Sequence, residues 1–234
     1  MAIKRNADRA LCVSFSGVDG AGKSTQIEAL REAAEQAGLR VHQIRFWDDI
    51  ACLTSLRETS GHTIFKGDKG IGSPDRPIHR RDKNVRSWPM ACVRLLLYSL
   101  DAMATRAAVA RARRSGADLA IFDRYIYDEL ANLTLANPLM RAFARLVMMV
   151  VPRPAVSYIL DADPAQARAR KPEYPLEFIY VNRQAYFDLS RLLGGMTIVA
   201  PAPIEEVKRE VLYHALQALS KRAGAEPIAA AVNS

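Results

Sequence analysis

The stretch LCVSFSGVDGAGKST, residues 11–25, decides the fold of this chain. Its first six residues form a short apolar run, which is typical of a strand buried on both faces of a sheet. Residues 17–24 then match the pattern GxxxxGK[ST] at every fixed position, and residues 24–37 have helical periodicity that ends at Gly38. A strand, a glycine-rich loop and a helix in this order predict the start of an open α/β domain.

The loop has the residue types that a phosphate-binding turn requires. Glycines let consecutive main-chain N–H groups surround a phosphate where a Cβ would block the approach. The pattern places the Lys23 ammonium at the β- and γ-phosphates of a nucleotide and the Ser24 hydroxyl on a magnesium ion. The new helix directs the positive end of its dipole at the same anion. We therefore predict a nucleoside triphosphate site; the alternative is a glycine-rich turn without a ligand. The predicted site comprises Gly17, Val18, Asp19, Gly20, Ala21, Gly22, Lys23, Ser24 and Thr25.

Strand and helix patterns alternate along the rest of the chain. Apolar runs predict strands at 41–46, 119–122, 156–160 and 197–199, and periodic segments predict helices at 90–114, 139–150, 164–170, 177–193 and 204–221. Short apolar strands separated by helices predict a five-stranded parallel sheet flanked by helices, in a three-layer α/β domain of the P-loop NTPase class. We expect this domain to span residues 1–222 and a flexible tail to span 223–234.

Composition limits the class of protein further. The chain has 234 residues, of which 50% are hydrophobic and 25% charged, which suits one globular domain and excludes wholesale disorder. Three widely separated cysteines argue against a disulfide framework or a zinc site. The chain has no apolar run of membrane-spanning length and no apolar segment near Met1 typical of a signal peptide. We expect a cytoplasmic protein with no membrane partner.

The positive charge is concentrated in one segment. The formal net charge is +8, and residues 61–88 hold seven Lys or Arg against three Asp or Glu. Glycines and prolines in this segment predict a loop. Such a basic loop is compatible with a solvated surface, with a site for an anionic small molecule or with nucleic-acid binding. We favour the small anion over nucleic acid.

A carboxylate and a guanidinium follow the third predicted strand. Asp123 ends that strand at the carboxyl edge of the sheet, where ligands of such folds bind. We predict that Asp123 is a second metal anchor beside Ser24; the alternative is a turn or a helix N-cap residue. Arg124 comes next, and its planar fork suits a second phosphorylated molecule.

The P-loop together with Asp123-Arg124-Tyr125 resembles the thymidylate kinase family, whose members transfer the γ-phosphoryl group of ATP to dTMP. The resemblance covers the element order from about residue 11 to 219, including Leu160-Asp161-Ala162-Asp163-Pro164. It implies an ATP-dependent phosphotransferase with Mg²⁺, an anionic nucleoside monophosphate as acceptor, and homodimers formed through helices. The apolar helix at 139–150 offers a surface for such a dimer, although core packing also explains it.

The resemblance also implies roles for individual residues. Lys23 and Ser24 would hold the donor phosphates and magnesium, Asp19 would face the acceptor sugar, and Arg124 would grip the acceptor phosphate. A short lid at about 168–177 would bring Arg168 and Arg170 over ATP; the alternative is that both arginines belong to the solvated surface. Some family members have an arginine in the P-loop where this chain has Gly20, so the charge-stabilising arginine is expected from the lid. The implied catalytic residues are Lys23, Arg124, Asp19, Arg168 and Arg170.

The acceptor side departs from the family pattern. After the second strand the chain reads Arg45-Phe46-Trp47-Asp48 in place of Arg-Glu-Pro-Gly, and Ala102 follows Asp101 where the family has a base-contacting arginine. Residues 128–133, in place of Ser-Ser-Leu-Ala-Tyr-Gln, and an enlarged loop at about 57–89 differ as well. The residues expected to bind the acceptor are Arg45, Phe46, Trp47, Asp101 and Arg124. The alternative for Phe46 and Trp47 is core packing beside the sheet, and the alternative for Asp101 is a helix-face carboxylate with a local partner. Two alternatives stay open, which are a kinase of another anionic or hydroxyl-bearing small molecule and a nucleotide switch or nucleic-acid-binding P-loop protein.

Overall fold

The computed structural model describes residues 10–51, 88–172 and 174–223. The elements follow in the order β1 (Leu11–Gly17), α1 (Lys23–Gln36), β2 (Val41–Arg45), a π-helical turn (Phe46–Ile50), α2 (Trp88–Arg114), β3 (Leu119–Asp123), α3 (Ile126–Leu130), α4 (Pro138–Val150), β4 (Val156–Leu160), α5 (Pro164–Arg170), α6 (Leu176–Leu193), β5 (Thr197–Val199) and α7 (Ile204–Ala223). The predicted basic loop and most of the predicted insertion and tail lie outside the described residues, so these predictions stay untested.

The five strands form one parallel sheet in the order β2-β3-β1-β4-β5, which confirms the predicted fold class. All seven residues of the central strand β1 are buried, because helices cover both faces of the sheet. On one face, α1 and α7 pack their apolar sides on β1, β3, β4 and β5. On the other face, α2, α3, α4 and α6 cover the alternate strand residues. The result is the predicted three-layer arrangement.

The chain reverses its direction of winding at β1. From β1 it passes to β2 on one side of the sheet, returns to β3, and then crosses to β4 on the other side. Phe15 is in register with Asp123, Asp123 with Arg45, and Gly17 with Leu160, so four strands end near one another. Ligands of open α/β sheets bind at such a switch point. The P-loop lies at this edge.

Two short elements were not predicted, and both lie at this edge. The π-helical turn starts at Phe46, so β2 ends one residue earlier than predicted. Helix α3 follows Tyr125 directly, and each element has only five residues. Five residues are too few to show helical periodicity in a sequence. Tyr125 directly before α3 and Tyr127 within it are both buried in the core.

Within the described residues, no helix combines the length and the apolar character needed to cross a membrane.

Candidate active site

The P-loop presents main-chain donors at the start of α1. Gly22 precedes the helix, whose first turn contains no acidic residue, and none of the described side chains caps it. The amides of the first turn, Lys23 to Thr25, have no carbonyl four residues earlier within the helix to accept their hydrogen bonds. Uncapped N–H groups and the helix dipole together favour an anion at this position.

The Lys23 ammonium lies inside the loop. Its Nζ donates to the carbonyl oxygens of Gly17, at 2.9 Å, and Val18, at 2.8 Å, and lies 3.7 Å from the Asp19 carboxylate. Lys23 is buried in the folded chain. Burial, with the nearby charge of Arg124, lowers the pKa of Lys23 to about 8. The loop therefore holds a cation whose charge is weakly compensated until an anion arrives.

We expect binding of MgATP to take up a proton at alkaline pH. The free chain loses the Lys23 proton near pH 8, and a bound polyphosphate would raise that pKa. The affinity should therefore be full below pH 8 and fall as the pH rises, by up to about tenfold for each pH unit. Calorimetry in buffers of different ionisation enthalpy measures the uptake. The control is Lys23→Arg, which stays charged and should abolish the uptake; a constant wild-type affinity up to pH 9.5 would contradict this prediction.

Arg124 is held between two carboxylates. Its Nη1 donates to Asp128 Oδ1 at 2.9 Å, and its Nη2 donates to Asp19 in the P-loop. The Arg124 amide donates to the carbonyl of Phe15 at 2.9 Å, and the residue has a φ of +68°, which non-glycine residues seldom adopt. The backbone is therefore strained at Arg124, the residue whose side chain extends between Asp128 and Asp19.

The charges of this cluster reinforce one another. Burial alone would raise the pKa of Asp19, but Arg124 and Lys23 lower it below its usual value. Burial also opposes the charge of Arg124, yet the carboxylates of Asp128 and Asp19 raise its pKa. Asp19 therefore forms ion pairs with both Lys23, which is predicted to bind the donor phosphates, and Arg124, which is predicted to bind the acceptor phosphate.

The candidate magnesium ligands suit an ion that arrives with a nucleotide. Ser24 is exposed at the start of α1, and Asp123 ends β3 near enough to Lys23 to act on its pKa. Among the described residues, no three His, Cys, Asp or Glu side chains form a metal site by themselves. Magnesium is commonly held by one or two protein oxygens and by substrate phosphates. A hydroxyl and a carboxylate at the phosphate loop fit that chemistry.

Residues on both sides of the predicted lid pack on the P-loop. Val18 in the loop forms an apolar cluster with Ala162, Ala167 of α5 and Ile179 of α6. Arg170 Nη1 donates to the Gly20 carbonyl at 3.2 Å, while Arg168 is exposed on the same helix. The segment joining α5 to α6 runs only from Lys171 to Pro175. The lid prediction stays untested, but its first helix touches the nucleotide loop.

The predicted acceptor residues divide into exposed and buried groups. Arg45 lines a depression of about 240 Å³ together with Gln43, Asp48 and Asp49. Trp47 is 42% exposed and stands edge-on against Phe46, whose ring is fully buried in the core. Asp101 is also fully buried, on α2. Of the aromatic pair, only Trp47 presents a face to an incoming molecule.

Comparisons with known proteins point to one family. No family model matches the chain. A thymidylate kinase from Bifidobacterium longum strain DJO10A is 29% identical over 190 residues, which is 77% of this chain and 84% of the relative. A probable thymidylate kinase from Methanopyrus kandleri is 27% identical over 183 residues, covering 78% of this chain and 75% of the relative. The chain is therefore similar to thymidylate kinases over about three quarters of its length.

A solved structure supports the fold. The crystal structure of a thymidylate kinase from Ehrlichia chaffeensis is similar with a TM-score of 0.53. The match covers 87% of this chain and 97% of that one at 18% identity. The likeness therefore extends over nearly the whole of the solved protein, although most of the residues differ.

Three residues of the site were missed by the thymidylate kinase pattern. Asp128 was noted only as a departure from the family, yet it contacts Arg124, and Tyr186 of α6 donates to it at 2.9 Å. Arg183 of α6 forms a two-pronged ion pair with Asp161, both bonds being 2.6 Å long. Helical spacing gives no signal for the Arg124–Asp128 pair, because Arg124 has a φ of +68° and lies before α3 begins at Ile126.

Gly20 lies at the P-loop position where some thymidylate kinases have an arginine, and here helix α5 leaves no room for a side chain. A Cβ on Gly20 would come within 2.7 Å of the Ala167 carbonyl oxygen, and the φ of Gly20 is +86°. Gly20→Ala is expected to displace α5 or the loop and raise the Kd for MgATP by at least about tenfold. Titration calorimetry measures this change.

The matched control is Gly38→Ala. Gly38 has a similar φ of +77°, but a Cβ there meets nothing within 4 Å. It should lower the melting temperature through backbone strain alone and leave the Kd unchanged. Equal Kd values for MgATP in wild type and Gly20→Ala would contradict this prediction and show that α5 can move to accommodate the side chain.

Proposed function

We propose that this chain is an ATP-dependent nucleoside monophosphate kinase that converts dTMP to dTDP in the cytoplasm. The observation that carries the proposal is the contact of Lys23 and Arg124 with the same P-loop carboxylate, Asp19. This contact holds a cation for the donor and a cation for the acceptor side by side. The family relatives, which are thymidylate kinases, supply dTMP as the acceptor.

The reaction needs positioned charges more than covalent chemistry. An oxygen of the acceptor phosphate attacks the γ-phosphorus, the bond from that phosphorus to the β–γ bridging oxygen breaks, and ADP leaves with the electron pair. Lys23 and the amides of the P-loop neutralise the charge on the donor phosphates, while Arg124 orients the attacking phosphate. Ser24 and Asp123 would hold Mg²⁺, which would supply further charge neutralisation.

The lid and the acceptor side complete the proposed assignments. Arg170 contacts the P-loop through the Gly20 carbonyl, and we therefore assign it as the lid arginine that neutralises the donor phosphates. Arg168, which is exposed on the same helix, is the second candidate. We assign the acceptor base to the side of Arg45 and Trp47, with Asp19 at the sugar. Phe46 and Asp101 are deeply buried, so we assign them no contact with the acceptor and propose that they support the residues of the acceptor side.

The test is ADP release by purified protein with MgATP and a panel of acceptors. The panel contains dTMP, dUMP, dCMP, AMP and GMP, with thymidine as the acceptor that lacks a phosphate. We expect dTMP to give the highest kcat/KM and thymidine to give no turnover. ADP release that does not depend on any acceptor would contradict the proposal.

A second candidate is a kinase for a different small acceptor on the same scaffold. It is favoured by Ala102, which is buried and cannot replace the base-contacting arginine of the family. In that case the same panel would show poor rates with dTMP and a higher rate with another acceptor. The panel therefore separates the two candidates directly.

We also propose a homodimer formed through α2 and α4. Exposed apolar residues recur on α2 at Val93, Leu96, Leu100 and Met103, and on α4 at Leu139, Leu146 and Met149. The spacing on α2 alternates between three and four residues, which is the seam of paired helices. Apolar patches of this kind mark interaction surfaces.

Leu96→Glu is expected to convert the dimer to a monomer. Leu96 is 61% exposed in the single chain, so a charge there costs the monomer little but would be buried in the dimer. Light scattering after gel filtration measures the mass. Ile204→Glu is the control, since Ile204 is 60% exposed on α7 and away from the seam. A wild-type protein that is monomeric at tens of micromolar would refute the dimer.

A further inference from the structure

The carboxylate of Asp128 receives four hydrogen bonds. Oδ1 accepts from Arg124 Nη1 at 2.9 Å and from the Tyr186 hydroxyl at 2.9 Å. Oδ2 accepts from the Ser16 hydroxyl at 2.5 Å and from the Tyr125 amide at 3.3 Å. The side chain is only 4% exposed. Each oxygen therefore has two donors, and the carboxylate is held in one orientation.

These four bonds join separate parts of the fold at one point. Ser16 belongs to β1 just before the P-loop, Tyr186 belongs to α6 after the lid, and Asp128 itself lies on α3. Burial and the Asp128 charge raise the pKa of Tyr186 well above its usual value, so its hydroxyl stays a donor. The sheet, the helix after the lid and α3 thus fix the position of a single carboxylate.

Arg124 is the member of this network that extends toward the site. Its side chain is 23% exposed, and its second nitrogen reaches Asp19 in the P-loop. If Asp19 turns to an acceptor, Asp128 still holds Nη1. A serine, which the family commonly has at position 128, offers one hydroxyl and no charge and could not accept from all four donors.

We propose that Asp128 is a positioning residue that orients the Arg124 guanidinium toward the acceptor phosphate. Asp128 acts through Arg124 and does not touch the reacting atoms. This inference rests on the proposed kinase function. This chain thus has a carboxylate at position 128, where thymidylate kinases commonly have a serine. Through Tyr186, Asp128 and Arg124, hydrogen bonds connect α6 to the proposed transfer site.

The experiment compares Asp128→Asn with Asp118→Asn in the full chain. In Asp128→Asn, one carboxylate oxygen becomes an amide NH2 group, which cannot accept the two hydrogen bonds made at that position. The charge that holds the Arg124 guanidinium is also lost, so Arg124 loses its alignment. We expect kcat with the best acceptor to fall by about 100-fold, the loss typical of a misplacement near 1 Å. The KM for MgATP should stay within about twofold, because the P-loop amides are untouched.

Asp118→Asn is the matched control because Asp118 also pairs with an arginine. It accepts from Arg40 Nε at 3.1 Å at the end of the sheet opposite the P-loop. It should lower the melting temperature without changing kcat. If both variants lose kcat in proportion to their melting temperatures, Asp128 is only a structural residue and the proposal fails.

A double-mutant cycle tests whether Asp128 works through Arg124. In an Arg124→Lys background, Asp128→Asn should change kcat by less than about threefold. Multiplicative losses would overturn the proposal.

If Asp128→Asn does not fold, Tyr186→Phe replaces it in the test. This variant keeps the Asp128 carboxylate and removes one of its hydrogen-bond donors. We expect a several-fold lower kcat, and an unchanged kcat would overturn the proposal. An inactive wild type would instead refute the proposed function.

Discussion

Lys23→Ala is expected to remove almost all turnover while the fold persists. The ammonium lies inside the P-loop, where it would meet the donor phosphates, and loss of one such preorganised cation should lower kcat by at least about 10²- to 10³-fold. Turnover is measured by coupled ADP release. Preserved activity would refute the assignment of this site.

The stability of Lys23→Ala should not fall sharply. Burial disfavours the charged form of Lys23, as its lowered pKa shows, so the fold gains little from this charge at neutral pH. Denaturant unfolding checks this expectation. Lys221→Ala, at an exposed lysine of α7, serves as the control for loss of a positive charge and should retain full activity.

Arg124→Ala is expected to cost both activity and stability. It leaves the carboxylates of Asp19 and Asp128 without their shared cation, and removal of one partner from a buried pair costs about 3–5 kcal/mol. The value should lie toward the lower end, because the Asp19 side chain is 25% exposed. The KM for the acceptor should rise together with a fall in kcat, and urea unfolding with steady-state kinetics measures both effects.

The stability loss in Arg124→Ala should depend on pH. Arg124 lowers the pKa of Asp19 below 3.8, so this carboxylate stabilises the fold fully above pH 3.8 and loses that effect as the pH falls through its folded value. The difference between wild type and variant should therefore narrow below about pH 4. Arg40→Ala, which breaks an exposed pair with Asp118, should cost about 0–1 kcal/mol. A loss in Arg124→Ala no larger than this would contradict the buried-pair interpretation.

The sequence predicted the fold well because its decisive signals are local. The strand before Gly17, the P-loop and the helix after it are continuous in the chain, and the strand runs at 156–160 and 197–199 appear at the predicted positions. Buried parallel strands read as apolar runs, so their number and order of appearance can be counted. The order of strands in the sheet requires contacts between distant segments and was not predicted.

The site was only partly predictable for the same reason. Lys23 and Arg124 follow from short motifs, and their roles remain proposals. The bond from Tyr186 to Asp128 joins residues 58 positions apart, and the approach of Ala167 to Gly20 depends on the packing of α5. No periodicity records such contacts. For the pair Phe46-Trp47 the sequence left stacking on the acceptor base and core packing equally open, and the position of Phe46 at the start of an irregular turn buries its ring.

The packing of Val18 and Gly20 against α5 has an evolutionary consequence. The single substitution of Gly20 by the arginine that some relatives have would not be accommodated in this chain, because the backbone of Ala167 occupies the space. The two segments would have to change together. Engineers who wish to transplant the loop should therefore exchange residues 17–25 and 162–179 as one cassette.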